Sequence, residues 1–195
     1  MRGLVEKLKQ IVAALLAVLL LVLPLGAQEV RAVAPGDDAA MSQLFAELAD
    51  PENRTWRRSE ADIRRLWSQS GSPAMDLLYK RAETAIDAGD PVLAVEHLTA
   101  LTDHAPDFAE AWHLRAVAFY QTGDIGLALA DLARALQLEP RHWLALAGLG
   151  AILEDVGKYD NALVAYRASQ ALNPHQDDVM EAIARLARET TGVSL

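Results

Sequence analysis

Small residues and prolines recur along this chain at a spacing of 34: Gly89, Gly123 and Gly157; Ala94, Ala128 and Ala162; Pro106, Pro140 and Pro174. No series slips, and the intervals from Gly to Ala to Pro are the same in every copy. A period of this length restricts the chain to stacked supersecondary units, each too small to bury its own apolar face. The residue types say which unit. Glycine takes positive φ where two helices reverse tightly, alanine lets them approach, and proline stops the second helix before the next unit starts. Residues 75–108, 109–142 and 143–176 therefore read as three helical hairpins.

Composition agrees with an all-α chain. Alanine and leucine dominate, only 6% of residues are aromatic, and Val, Ile and Thr form no alternating runs. With no cysteine, disulfides, thiolate metal sites and thiol catalysis are excluded. A net charge of -9 argues against nucleic acid or an anionic membrane surface as partner, since both need Lys and Arg to displace counterions. The one arginine-rich stretch, Arg54, Arg57, Arg58, Arg64 and Arg65, alternates with Glu52, Glu60 and Asp62 and reads as a solvated helix face with ion pairs at i, i+4.

Within the 34-residue frame the middle unit offers Trp112, Arg115, Ala116, Phe119, Ala128, Leu132, Ala135 and Pro140. The third offers Leu146, Leu149, Gly150, Leu153, Ala162, Tyr166 and Pro174, and the first Leu78, Arg81, Ala82, Ala85, Ala94, Leu98 and Pro106. These residues resemble the tetratricopeptide repeat (TPR) family, whose pattern is W-x2-L-G-x2-Y, then A-x3-F, then P. Arg replaces the signature Leu in two copies, where its long stem still packs. The resemblance implies a right-handed α-α superhelix, a TPR solenoid, with an N-terminal helical hairpin and a C-terminal capping helix. Residues 177–190, with Val179, Ile183 and Leu186 on one side and charges elsewhere, are expected to form the cap. Upstream, residues 41–74 are expected to form a degenerate TPR-like hairpin, interrupted by Pro51, whose Trp56, Ile63 and Trp67 cover the N-terminal end of the stack.

The family lines its concave face with the second, fifth, ninth and twelfth residues of each frame. Here these are Asp76, Tyr79, Glu83 and Ile86; Glu110, His113, Val117 and Tyr120; and Leu144, Ala147, Ala151 and Glu154. Chaperone-binding members of the family carry Lys, Arg and Asn at such positions to clamp a peptide carboxylate. This set has none, so the resemblance implies an apolar or basic protein segment as partner, held between Tyr79, His113 and Tyr120 with its charges facing the carboxylates.

The first 27 residues have the order of a signal peptide: Arg2, Lys7 and Lys9, then an apolar run from Ile11 to Gly26 broken by Pro24. As a helix that run would span ~24 Å, short of a hydrocarbon core of ~30 Å. Cleavage after Ala27, or retention as an anchor, both export the rest, and loss of three bases and one acid leaves the remainder more acidic. Residues 28–40, which contain Pro-Gly, are expected to be a flexible tether. Leu66, Trp67 and the Ser70–Met75 link before the repeats also resemble short exported TPR proteins of Gram-negative bacteria, which implies a periplasmic location and no particular partner.

Chemistry is sparse. His97, His104, His113, His142 and His175 form no H-x3-H or H-E-x-x-H pair, so no metal site or cofactor is expected. Phosphate loops and nucleophile elbows are absent as well. The expected role is a noncatalytic extracytoplasmic adaptor or scaffold, the alternatives being a regulatory subunit of an envelope enzyme or a hydrolase.

Overall fold

A computed structural model describes the backbone of residues 35–190; the predicted signal peptide, and the tether as far as residue 34, lie outside the described residues. Nine helices make up that stretch, with no strand among the described residues: α1 (Pro35–Ala49), α2 (Trp56–Trp67), α3 (Pro73–Asp87), α4 (Pro91–His104), α5 (Ala109–Thr122), α6 (Ile125–Leu138), α7 (Trp143–Asp155), α8 (Tyr159–Leu172) and α9 (Asp177–Thr190). None is long and apolar enough to cross a membrane. The helices α3/α4, α5/α6 and α7/α8 form three hairpins stacked in order, closed by α9.

Local chemistry sets the helix ends. Pro73 and Pro91 occupy first-turn positions, where a missing N–H costs nothing, and the Asp90 carboxylate caps α4 by accepting from the Leu93 N–H at 3.0 Å. Gly89, Gly123 and Gly157 sit at φ 74°, 85° and 74°, so the reversal between paired helices uses the left-handed region that disfavours any side chain.

Packing then explains the recurrent alanines. Ala94, Ala128 and Ala162 are each 0% exposed, one in each of three successive core clusters. Arg115, standing where the family expects Leu, lies over the Trp112 and Phe119 rings. Its guanidinium forks onto Asp131 at 2.7 and 3.0 Å and reaches the Thr102 hydroxyl at 2.8 Å, so the buried charge is paired on both sides. Cap helix α9 buries Val179, Ala182 and Leu186.

Two glycines in α7 have opposite environments. A Cβ on Gly150 would lie 2.6 Å from Cδ1 of the Tyr166 ring, whereas one on Gly148 would meet Leu132 at 3.7 Å, an ordinary contact. Gly150→Ala is expected to destabilise by ~1–3 kcal/mol through overpacking. Gly148→Ala is expected to be neutral or stabilising by up to ~1 kcal/mol, the helix propensity difference. Paired urea titrations check the opposite signs.

Two expectations need correction. Residues 35–40, assigned to the tether, are helical: Pro35 starts α1, whose first turn has no use for a proline N–H. Residues 41–74 do contain a hairpin, yet Trp56, Ile63 and Trp67 do not cover the N-terminal end of the stack. Phe45, Leu48 and Ile63 are buried with Trp143, and Met41, Leu44, Trp56, Trp67, Leu144 and Leu172 pack around them. The hairpin thus folds back onto α7 and the end of α8, because its largest apolar surface finds Trp143 there. The arginines of α2 do sit on a solvated face, with Arg58 and Arg65 both near Asp62.

Candidate functional site

Of the twelve residues assigned to the inner wall, Ala147 and Ala151 pack against the core between α8 and α9, and the other ten divide into two halves. Asp76, Tyr79, Glu110, His113 and Leu144 stand on the first turns of α3, α5 and α7 or one turn further in, and this half is largely closed. Tyr79 is 6% exposed and packs on Phe108, and its hydroxyl donates to Glu110 Oε1 at 3.4 Å. His113 is 8% exposed, with Nδ1 3.3 Å from the same oxygen. Leu144 is covered by the α1/α2 hairpin. The expectation that a partner enters between Tyr79 and His113 is therefore corrected: both side chains are already packed inside the molecule. Frame positions tell which face a residue occupies, not what the next repeat lays over it.

Glu110 is the hub of this half. Its Oε2 lies 2.6 Å from Nε2 of His142, a residue 0% exposed, from the end of the same 34-residue unit. Burial raises the Glu110 carboxyl, but His113 and His142 beside it pull more strongly the other way and hold it well below the usual carboxylate range. Burial lowers His142, with the Glu110 hydrogen bond opposing, so His142 is neutral near pH 7. Burial and the neighbouring Glu110 also push the Tyr79 phenol up.

Glu110, His113 and His142 bring three potential ligand atoms within 4.8 Å of one another, a juxtaposition invisible to a search for ligand pairs on one helix. The hydrogen bonds oppose a metal there. The Ala145 N–H donates to Nδ1 of His142 at 3.2 Å, so the proton of the neutral ring sits on Nε2 and is given to Glu110. No lone pair of His142 faces the centre, and the trio is a hydrogen-bonded clamp between α5 and α7.

The other half, toward the C-terminal ends of the same helices, is more open. Ile86 and Val117 are half-buried, Tyr120 is 38% exposed and donates to Asp155, and Glu83 and Glu154 flank them. Two bases from outside the wall positions reach this half. Lys80 lies 3.4 Å from Glu83, and Arg185 of the cap helix bonds Glu154, which also accepts from Tyr166 at 3.0 Å. Asp76 is engaged too, accepting from the Ser70 N–H and hydroxyl at 2.7 and 2.6 Å. All four predicted carboxylates thus have partners within the chain.

Known proteins bear on this architecture. Two overlapping stretches, residues 79–136 and 114–177, match the tetratricopeptide repeat family. A TPR repeat-containing protein of Rhizobium etli is 31% identical over 155 residues, which cover 78% of this chain and 75% of that protein. Among solved structures, MamA is similar with a TM-score of 0.57 at 23% identity, over 83% of this chain and 86% of its own. The first TPR domain of Spaghetti (RPAP3), bound to the HSP90 peptide SRMEEVD, has a TM-score of 0.58 at 18% identity, over 60% of this chain and 93% of that one. The stacked 34-residue hairpins, their glycine reversals and these matches agree, and the chain belongs to the tetratricopeptide repeat family.

Proposed function

We propose that this protein is a noncatalytic adaptor that acts after export and binds a protein or peptide segment on the open half of its inner wall. The observation that carries the reading is that Ile86, Val117 and Tyr120, placed on the inner wall by the frame, stay partly exposed toward the C-terminal ends of α3 and α5, with Glu83 on α3 and Glu154 and Asp155 at the end of α7. Aromatic and aliphatic side chains beside carboxylates already paired within the chain suit an extended or helical segment that is mainly apolar and carries few positive charges. Use of a TPR surface for peptides has precedent in the HSP90-peptide complex of RPAP3 and in the Hsp70 complex of the yeast Sti1 TPR2B domain. The wall positions here carry no Lys, Arg or Asn, so an acidic peptide terminus is not the expected ligand. The charged and apolar order of residues 1–27 supports export.

A photo-reactive residue placed at Tyr120 in cells that make the protein tests this reading. Discrete protein adducts at position 120, and none at exposed Ala130 on α6, are expected. Equal labelling at both positions, or reproducible turnover by purified residues 28–195, would sink it. Amino-terminal sequencing of the fractionated protein checks export, and a chain retained in the cytoplasm with Met1 intact would overturn that part.

A further inference from the structure

The chain's own hairpin covers the Leu144 end of the closed half, against His142 and Trp143, and the fit is lopsided. Its apolar side is good. Trp67 lies flat on His142 at 4.2 Å between ring centres, Trp56 stacks on His175 at 4.4 Å, and the Arg141 guanidinium sits 4.3 Å above Phe45. Its polar side is poor. Among the described residues three buried side-chain nitrogens have no hydrogen-bond partner, Nε1 of Trp67, Nε1 of Trp143 and Nε2 of His175, and all three lie at this seam. One hydrogen bond that crosses it, from Asn173 to Glu60, is long at 3.4 Å. Elsewhere in the stack buried polar groups are matched: Arg115 by Asp131 and Thr102, and Glu110 by His142.

An indole N–H buried without an acceptor forfeits the hydrogen bond it makes in water, and that loss is recovered as soon as the seam opens or an acceptor arrives. The hairpin is joined to α3 by residues 68–72, Ser-Gln-Ser-Gly-Ser, in which Ser70 is fastened to Asp76, so α1/α2 can leave the seam while this linker keeps it attached to α3.

We propose that the α1/α2 hairpin is a displaceable occupant of the surface formed by His142, Trp143, Leu144 and the end of α8, holding in cis a site that takes an amphipathic helix of a partner protein. That helix presents an aromatic ring to His142 and Trp143 and a carboxylate or amide oxygen to the orphaned indole N–H. The hairpin itself records the required chemistry, since Phe45, Leu48, Ile63 and Trp67 are the side chains the floor accepts. Because Trp67 is part of the plug, partner binding on this half requires the hairpin to open first, and the apparent affinity is reduced by the fraction of chains that are open. This inference rests on the reading of the molecule as a protein-binding scaffold, but concerns the half of the wall that Tyr120 does not touch.

The test uses the full chain and, as probe, a fluorescent synthetic peptide copying residues 35–67. By native-state hydrogen exchange the amides of α1 and α2 are expected to exchange through an opening that leaves α5 to α8 protected. Exchange of α1 and α2 only through global unfolding would overturn the proposal. Trp67→Ala, which loosens the plug, is expected to tighten probe binding by about tenfold or more. Phe45→Ala is read in the same way should Trp67→Ala lose protection in the repeats. A variant with protected repeats and no gain in probe binding also overturns it. Adducts at Tyr120 are read independently, so failure of the adaptor reading and failure of the hairpin plug have different signatures.

Discussion

Ala128→Arg is expected to remove most of the stability of the molecule. The Ala128 side chain is 0% exposed, enclosed with Ala116, Leu132, Ala135, Ala145 and Ile152 and edged by Trp112 and Phe119. An arginine there needs room that a close-packed joint lacks, and its guanidinium would have no free acceptor, since Asp131 is already taken by Arg115. A buried unpaired charge together with overpacking costs several kcal/mol, against a total of about 5–15 kcal/mol for a domain of this kind. Two positions on, Ala130 is exposed, and Ala130→Arg should change stability by no more than ~0.5 kcal/mol. Circular dichroism melts of the two variants make the comparison. A wild-type midpoint for Ala128→Arg would refute the 34-residue register on which the repeat assignment stands.

Glu110→Ala is expected to have the next largest effect, and to change how stability depends on pH. The substitution leaves the Nε2 proton of His142 and the Tyr79 hydroxyl without their shared acceptor, one of them fully buried, at a cost of about 2–3 kcal/mol. In the native protein both His142 and Glu110 have pKa values below those of the unfolded chain, so the unfolded state takes up protons first as pH falls. The His142 contribution is therefore complete above its unfolded value of 6.5 and is lost as pH drops through the lower folded value. The Glu110 contribution is complete above 4.5 and is lost below it in the same direction. Urea midpoints should fall from pH 7.5 to pH 5. In His142→Gln, whose amide still donates to Glu110 but does not titrate, the fall should be smaller. A midpoint that is flat or rises toward pH 5 would contradict the neutral, Glu110-bound state of His142.

How far the candidate surface was legible in the sequence differs from residue to residue. Tyr120 and Val117 were placed on the inner wall by frame position, and they stand on its open half. Tyr79 and His113 were placed on the same wall by the same rule, yet Phe108 and Glu110 enclose them, because a side chain at the first turns meets the neighbouring repeat rather than solvent. His142 was named with the other histidines but not joined to Glu110; that partner lies 32 residues earlier, and nothing in local spacing joins the two. Arg185 was likewise invisible as a wall residue, since it arrives from the cap helix to meet Glu154.

The sequence by itself determined the period, the hairpin of each repeat and the small residues at its joints. Those features rest on local physics: positive φ at a reversal, the volume allowed between paired helices, and the proline that ends a helix. Only the tertiary structure decided where the N-terminal hairpin lies, which half of the wall stays open and how each acidic side chain is compensated. Those outcomes depend on pairings between residues far apart in the chain, such as Trp67 with His142 and Glu60 with Asn173, separated by 113 positions in the second case. Repetition repeats local instructions, and a non-repeating segment can satisfy its apolar surface on any unit it can reach. Trp143, the largest fully buried side chain of the described residues, is what made that choice.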